Sequence, residues 1–252
     1  MNTLAIQKQA DIWMLTLNRP EKLNALSAEL VEQLIEVFDT AAAEKVPALA
    51  LRGEGRCFSA GFDMSDIDTL SEGDLLLRFV RIETLLAKIA SSPCFTLALA
   101  HGKNFGAGVD LIAACNMRVA APGATFRMPG LQFGLVLGTG RFARIVGARD
   151  AQRILETSAT FDVDWAYQKG FIERIASEEQ HDEVIQQAVH RATALPGQGR
   201  TLLCDALRNE QADTDLAALV RSAAEPGLKL RIDAYRNPAK RELSPNLQKE
   251  PA

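Results

Sequence analysis

Short apolar runs alternate with helical stripes, and the gaps between the runs are too long for hairpins. Ile12–Leu17 is a nearly continuous apolar run stopped by Asn18-Arg19-Pro20, and residues 48–52 and 95–100 repeat the pattern. Between the first two runs, Ser27 stands as an N-cap before Leu30, Leu34, Val37, Phe38 and Ala41, which share one helix face. Between the next two, Ser71 and Asp74 form a cap pair before the stripe Leu75, Phe79, Ile82, Leu86 and Ile89, and Pro93 ends the helix. Such spacing demands crossover connections, so the strands pair in parallel and the chain is of α/β class. A further helix at residues 109–115 and a strand at 118–120 continue the alternation. Beyond Pro196 the strand signals stop. Residues 200–235 are helical, broken by Pro226-Gly227, and residues 237–252 form a polar tail with three prolines. This predicts an α/β core over residues 1–195 and a helical C-terminal region with a polar tail over 196–252.

Length and composition narrow the function. A chain of 252 residues that is 47% hydrophobic can bury about three quarters of its extended surface, which excludes disorder as the main state. The 28 Lys plus Arg against 32 Asp plus Glu leave a net charge of −4, so nucleic-acid binding has no excess basic charge to draw on. No apolar stretch approaches the roughly 20 residues that span a bilayer, and residues 1–10 carry no secretory signal pattern. A cytoplasmic protein without a membrane partner is expected. Cys57, Cys94, Cys115 and Cys204 are widely spaced, which predicts reduced thiols and neither a disulfide framework nor a zinc cage.

Two loops of small residues each follow an apolar strand: Cys57-Phe58-Ser59-Ala60-Gly61-Phe62-Asp63 and His101-Gly102-Lys103-Asn104-Phe105-Gly106-Ala107-Gly108. Parallel sheets place ligands at such strand ends. The second loop runs into a helix, so amides near Ala107 lie at a helix N-terminus, where they favour an anion. If the Phe62 amide points at the same spot, the two make an oxyanion hole, in which one donor is worth about 100 to 1,000 fold in rate. The other reading of such loops is tight turns and close backbone packing. A dinucleotide fingerprint is excluded because Gly106-Ala107-Gly108 is followed by Leu111, and Gly138-Thr139-Gly140 by Ala143, where the third glycine belongs. No Walker loop and no Gly-x-Ser-x-Gly elbow occurs.

The run Asn18-Arg19-Pro20-Glu21-Lys22-Leu23-Asn24-Ala25-Leu26, then Phe58 to Asp63, then the second glycine loop with Asp110, then Phe126-Arg127-Met128-Pro129 and Gly134, resembles the ordered motifs of the crotonase, or enoyl-CoA hydratase/isomerase, family. Residues 163–175, with Ala166, Gly170 and Phe171, extend the resemblance. It implies a crotonase-like spiral of β-β-α turns with a helical C-terminal region, assembled as a homotrimer or a dimer of trimers. It also implies an acyl-CoA thioester substrate and no metal or organic cofactor, coenzyme A being part of the substrate. By the resemblance the oxyanion amides belong to Phe62 and Ala107, and Lys22, Leu23, Ala60, Asp63 and Met64 line the coenzyme A path. Ala107 stands where the family usually has glycine, a change that leaves the amide in place.

The carboxylates depart from the family pattern. Its hydratases use two glutamates, because one group must deprotonate water while a proton reaches the α-carbon. The matching positions here are Asp110 and Gly130. One acid can still move a proton between two carbons, so double-bond isomerisation or another enolate reaction, including lyase chemistry, is expected rather than standard hydration. A hydratase of altered specificity and a non-catalytic acyl-CoA binder remain as alternatives. Asp110 is the expected acid, with a raised pKa if buried; its other reading is a helix-dipole aspartate. His101, Asp63 and Asp66 read as structural, while Arg19, Lys22 and Arg56 are candidates for facing phosphates. Phe62, Phe105, Phe126 and Phe133 are candidates for shaping the acyl pocket.

Overall fold

The computed structural model describes residues 3–196, 198–207 and 212–237, so the expected polar tail lies outside the described residues from position 238 onward. The strands are β1 (Leu4–Lys8), β2 (Ile12–Leu17), β3 (Ala48–Gly53), β4 (Phe95–Ala100), β5 (Lys103–Phe105), β6 (Met117–Ala120), β7 (Thr125–Arg127), β8 (Phe161–Asp162) and β9 (Arg174–Ile175). The helices of the first half are α1 (Ala28–Ala43), α2 (Glu72–Ala90), α3 (Ala107–Ala113), α4 (Thr139–Val146) and α5 (Ala148–Thr157). Those of the second are α6 (Val163–Gln168), α7 (His181–Thr193), α8 (Gly199–Leu207), α9 (Ala212–Ala224) and α10 (Leu228–Arg236).

One sheet has the order β1-β2-β3-β4-β6-β9, with β1 antiparallel to β2 and every other pairing parallel. The second sheet has the order β5-β7-β8, with β5 parallel and β8 antiparallel to β7. Successive side chains of the central strands go to opposite faces. Leu15, Leu17, Leu49 and Leu51 pack with Leu30, Leu34 and Phe38 of α1 and Ile82, Leu86 and Ile89 of α2. Met14, Ala48, Ala50 and Leu97 face Val184, Ala188 and Ala192 of α7. Burial on both faces is why these strands read as unbroken apolar runs.

Local signals hold the helices in register. The Ser27 hydroxyl accepts the Leu30 N–H at 3.2 Å, and Ser71 with Asp74 forms a complete capping box at the start of α2. A third cluster joins Ile67, Leu75, Phe79, Phe133 and Leu135 to Leu219, Ala223, Leu228 and Ile232 of α9 and α10. Helices α9 and α10 therefore pack against α2 and the segments that follow β3 and β7. Cys57, Cys94 and Cys115 are buried free thiols and Cys204 is a half-buried one. Among the described residues no helix is long and apolar enough to cross a membrane.

Candidate active site

The segment after β2 is clamped onto the loop after β3. A single helical turn, Pro20–Lys22, leads into Leu23 and Asn24, both in the left-handed region at φ 51° and 53°. Fully buried Asn24 compensates that strain. Its side chain accepts the Arg19 N–H at 2.9 Å and donates to the Glu54 and Cys57 carbonyls at 2.8 and 2.9 Å. Its own carbonyl accepts the Ser59 hydroxyl at 2.8 Å. Arg19 is turned inward to Asp63 at 2.8 Å, so it faces no phosphate; Lys22 and Arg56 stay exposed.

Leu26 and Phe62 form an isolated parallel bridge. The Leu26 N–H donates to the Gly61 carbonyl at 2.7 Å, and the Asp63 N–H donates to the Leu26 carbonyl at 3.3 Å. In that geometry the amide of Phe62 itself points to the opposite side. The neighbouring Gly61 meets the second loop. Gly61 sits at φ 84°, and a Cβ on it would lie 2.3 Å from the Phe105 carbonyl and 3.1 Å from the Ala107 nitrogen. Only glycine allows two backbones to approach this closely with positive φ. The Phe105 N–H donates to the Ser59 carbonyl at 3.2 Å, tying the loops together. The Phe62 and Ala107 amides thus lie on touching segments, Ala107 is the first residue of α3, and neither N–H meets an acceptor among the described residues.

Both residues line one narrow cleft of about 580 Å³, its open mouth included. Of the residues expected in the site, Ala60, Phe62, Met64, Ala107, Asp110 and Gly130 line it; Lys22, Leu23 and Asp63 do not. Leu23 is tied to the rim, its carbonyl accepting the Ala60 N–H at 2.9 Å. Asp63 is occupied by Arg19 and by the Ser65 amide and hydroxyl. Burial works to raise its pKa, but those hydrogen bonds outweigh burial and leave it below the usual value. Phe62, Phe105 and Phe133 line the cleft, whereas Phe126 is packed against Phe161 and Phe171 in the core. Phe62 is stacked on Phe79 at 4.4 Å, with the Arg78 guanidinium 4.5 Å from its ring centre. The His101 ring nitrogen is 2.9 Å from the Gly55 carbonyl and Asp66 pairs with Arg78 at 2.7 Å, both structural contacts.

Asp110 is the only ionisable side chain in the cleft wall among the described residues, with Thr139 the other polar one. It is 2% exposed, and its Oδ1 has no hydrogen-bond partner. Burial pushes its carboxyl well above the ordinary aspartate range, Arg141 pulling it down and nearby Glu83 pushing it up. Its carboxyl occupies the space in front of Gly138: a Cβ there would lie 1.8 Å from Oδ1. Gly130 is constrained less severely: a Cβ on it would lie 2.9 Å from the Leu135 carbonyl oxygen. Behind Asp110, Arg141 of α4 donates to Glu83 of α2 at 2.8 Å, with both side chains buried. Sequence reading missed this pair. Its signal was present, since Glu83 falls four residues after Phe79 and three before Leu86, on the buried stripe of α2.

Among the described residues no cluster of His, Cys, Asp and Glu could hold a metal ion. The cleft thus brings together two backbone amides with no acceptor among the described residues and one buried carboxyl.

The sequence profile of the family described as enoyl-CoA hydratase/isomerase matches residues 7–228. A protein named probable enoyl-CoA hydratase from Bacillus subtilis strain 168 is 31% identical over 193 residues, covering 75% of this chain and 74% of its own. A 4-chlorobenzoyl coenzyme A dehalogenase from Arthrobacter is 25% identical over 253 residues, covering 93% of this chain and 90% of its own. A crystal structure from Bordetella parapertussis, provisionally named an enoyl-CoA hydratase/isomerase, superposes with a TM-score of 0.92 at 56% identity, covering 93% of this chain and 98% of that one. The architecture is accordingly the crotonase spiral with its helical C-terminal region, and the chain belongs to the enoyl-CoA hydratase/isomerase family.

Proposed function

We propose that this protein is an acyl-CoA enzyme that forms a thioester enolate and moves protons with a single carboxyl, as in double-bond isomerisation. The observation that carries this reading is that Asp110 is the only acid in the cleft wall among the described residues, while the Leu135 carbonyl crowds the position where a second one would begin. The thioester oxygen accepts hydrogen bonds from the Phe62 and Ala107 amides. Asp110 as carboxylate removes a proton from the α-carbon, and the electron pair moves onto that oxygen as the enolate forms. The carboxylic acid then returns the proton to the γ-carbon, which leaves the double bond shifted and Asp110 ionised again. Fixed amides in a dry cleft favour the enolate over the thioester, which lowers the barrier. A carboxyl whose pKa is raised by burial is the better base near neutral pH.

The coenzyme A portion leaves the cleft past Ala60 and Met64 toward Leu23 and Lys22. The apolar walls, with Leu135, Leu137 and Phe79, suit an uncharged acyl chain. The same reading takes the chain to be a cytoplasmic homotrimer or dimer of trimers, and light scattering measures the assembly.

The test is a panel of 2-enoyl and 3-enoyl CoA thioesters. Interconversion of the two classes without 3-hydroxyacyl product is expected, and Asp110→Asn abolishes it while acyl-CoA binding persists. Net hydration as the main reaction, or turnover by the Asn variant, refutes the reading. Absence of α-deuterium uptake with every thioester in heavy water favours a binding protein instead.

A further inference from the structure

Three buried side-chain atoms in one region have no hydrogen-bond partner: Asp110 Oδ1, Glu83 Oε2 and Arg141 Nη1. They belong to α3, α2 and α4, and the groups interact through the protein interior. Glu83 is 1% exposed and Arg141 7%, so neither touches the cleft. A buried ion pair of this kind is poor at adding stability, since desolvation offsets the attraction. We propose that Glu83 and Arg141 are positioning residues, a buried ion pair behind Asp110 that makes it the member of the cluster that carries the exchangeable proton. The inference rests on the reading of Asp110 as the proton-transfer group.

Charge bookkeeping supports it. Two carboxylates and one guanidinium leave the cluster with one excess negative charge, which one proton neutralises. Glu83 receives the Arg141 N–H directly at 2.8 Å, whereas Asp110 receives no hydrogen bond on Oδ1. A proton taken up by the cluster therefore goes to Asp110, the group that faces the substrate. The charged groups facing the cluster are few. Arg144 of α4 and Asp215 of α9 act on Glu83 with opposite sign and pair with each other at 2.6 Å. Arg78 of α2 is engaged by Asp66, and the first turn of α3 contributes only Asp110 itself.

Opposite substitutions then move Asp110 in opposite directions. Glu83→Gln keeps an oxygen for Arg141 but removes the negative charge, so Asp110 gives up its proton at lower pH. Arg141→Met removes the positive charge and has the reverse effect. The experiment is the pH profile of kcat/KM together with carbon-13 NMR titration of aspartate carboxyls, the Asp110 signal being assigned by its loss in Asp110→Asn. Glu83→Gln is expected to lower the apparent pKa by about one unit, and Arg141→Met to raise it by a similar amount. KM should stay nearly constant, and Arg141→Lys should restore the wild-type profile. If Arg141→Met does not fold, Glu83→Gln and Arg141→Lys carry the test. An Asp110 signal and a rate profile that titrate identically in wild type and Glu83→Gln overturn the proposal. Turnover by Asp110→Asn would refute the catalytic reading alone, because the NMR titration still reports whether the pair acts on Asp110.

Discussion

Replacing Gly138 by alanine perturbs the proposed acid without touching it chemically. The added Cβ would lie 1.8 Å from Asp110 Oδ1 and 2.3 Å from Cγ, against a comfortable contact of about 3.5 Å. The carboxyl must retreat by more than about 1 Å, a displacement that can cost on the order of 100-fold in rate at a reacting centre. Gly138 also sits at φ 63°, where an L-residue adds about 1–2 kcal/mol of backbone strain. At about 2–4 °C per kcal/mol for a chain of this size, the melting temperature should fall by several degrees. The assay is α-proton exchange of an acyl-CoA in heavy water, followed by NMR, with affinity measured by calorimetry. Exchange should drop about 100-fold with binding nearly unchanged, and Gly138→Ala added to Asp110→Asn should cost no further rate. Wild-type exchange in Gly138→Ala would show that the placement of Asp110 is immaterial and refute the single-acid mechanism.

Gly130→Glu should not create a hydratase, because the new Cβ meets the Leu135 carbonyl at 2.9 Å; it should instead destabilise the fold by about 1–3 kcal/mol in chemical denaturation. Asp110 holds its proton more tightly when folded than unfolded. Wild-type stability should therefore fall relative to Asp110→Asn as pH rises from about 4 through the raised folded value; thermal melts with a constant gap across that range would contradict the burial argument. Leu228→Ala and Ile232→Ala, both at fully buried sites, should each cost about 2–5 kcal/mol. They should also weaken acyl-CoA binding by loosening the wall behind Phe133 and Leu135, read out by titration calorimetry. Asp63→Asn removes the partner of Arg19, so stability above the usual aspartate range should drop, and the difference should vanish as acid protonates Asp63 in the wild type.

The parts of the fold that were readable in the residues are those with period and length. β2, β3 and β4 are buried on both faces and so spell continuous apolar runs, and the Ser27 and Ser71 caps mark where α1 and α2 begin. β1 escaped because only Leu4 is fully buried, leaving Ile6 half exposed and no alternation to detect. β5, β7, β8 and β9 are two or three residues long, too short for any periodic signal, and exist because long-range packing places them. At the site, the glycine loops and Asp110 were visible as local pattern. The Glu83–Arg141 pair was not read: Glu83 falls on the buried stripe of α2, but charged residues on helices are ordinarily solvated and nothing local pairs it with Arg141 of α4.

The wall of the cleft has an unusual place in the order of synthesis. The amides and the acid come from residues 62 to 110, yet Phe133 and Leu135 lean on Leu219, Leu228 and Ile232. A ribosome making this polypeptide will thus have extruded every reacting group long before the backing that shapes their chamber. A nascent chain stalled near residue 200 would lack Leu219, Leu228 and Ile232 and so leave Phe79 and Phe133 facing water.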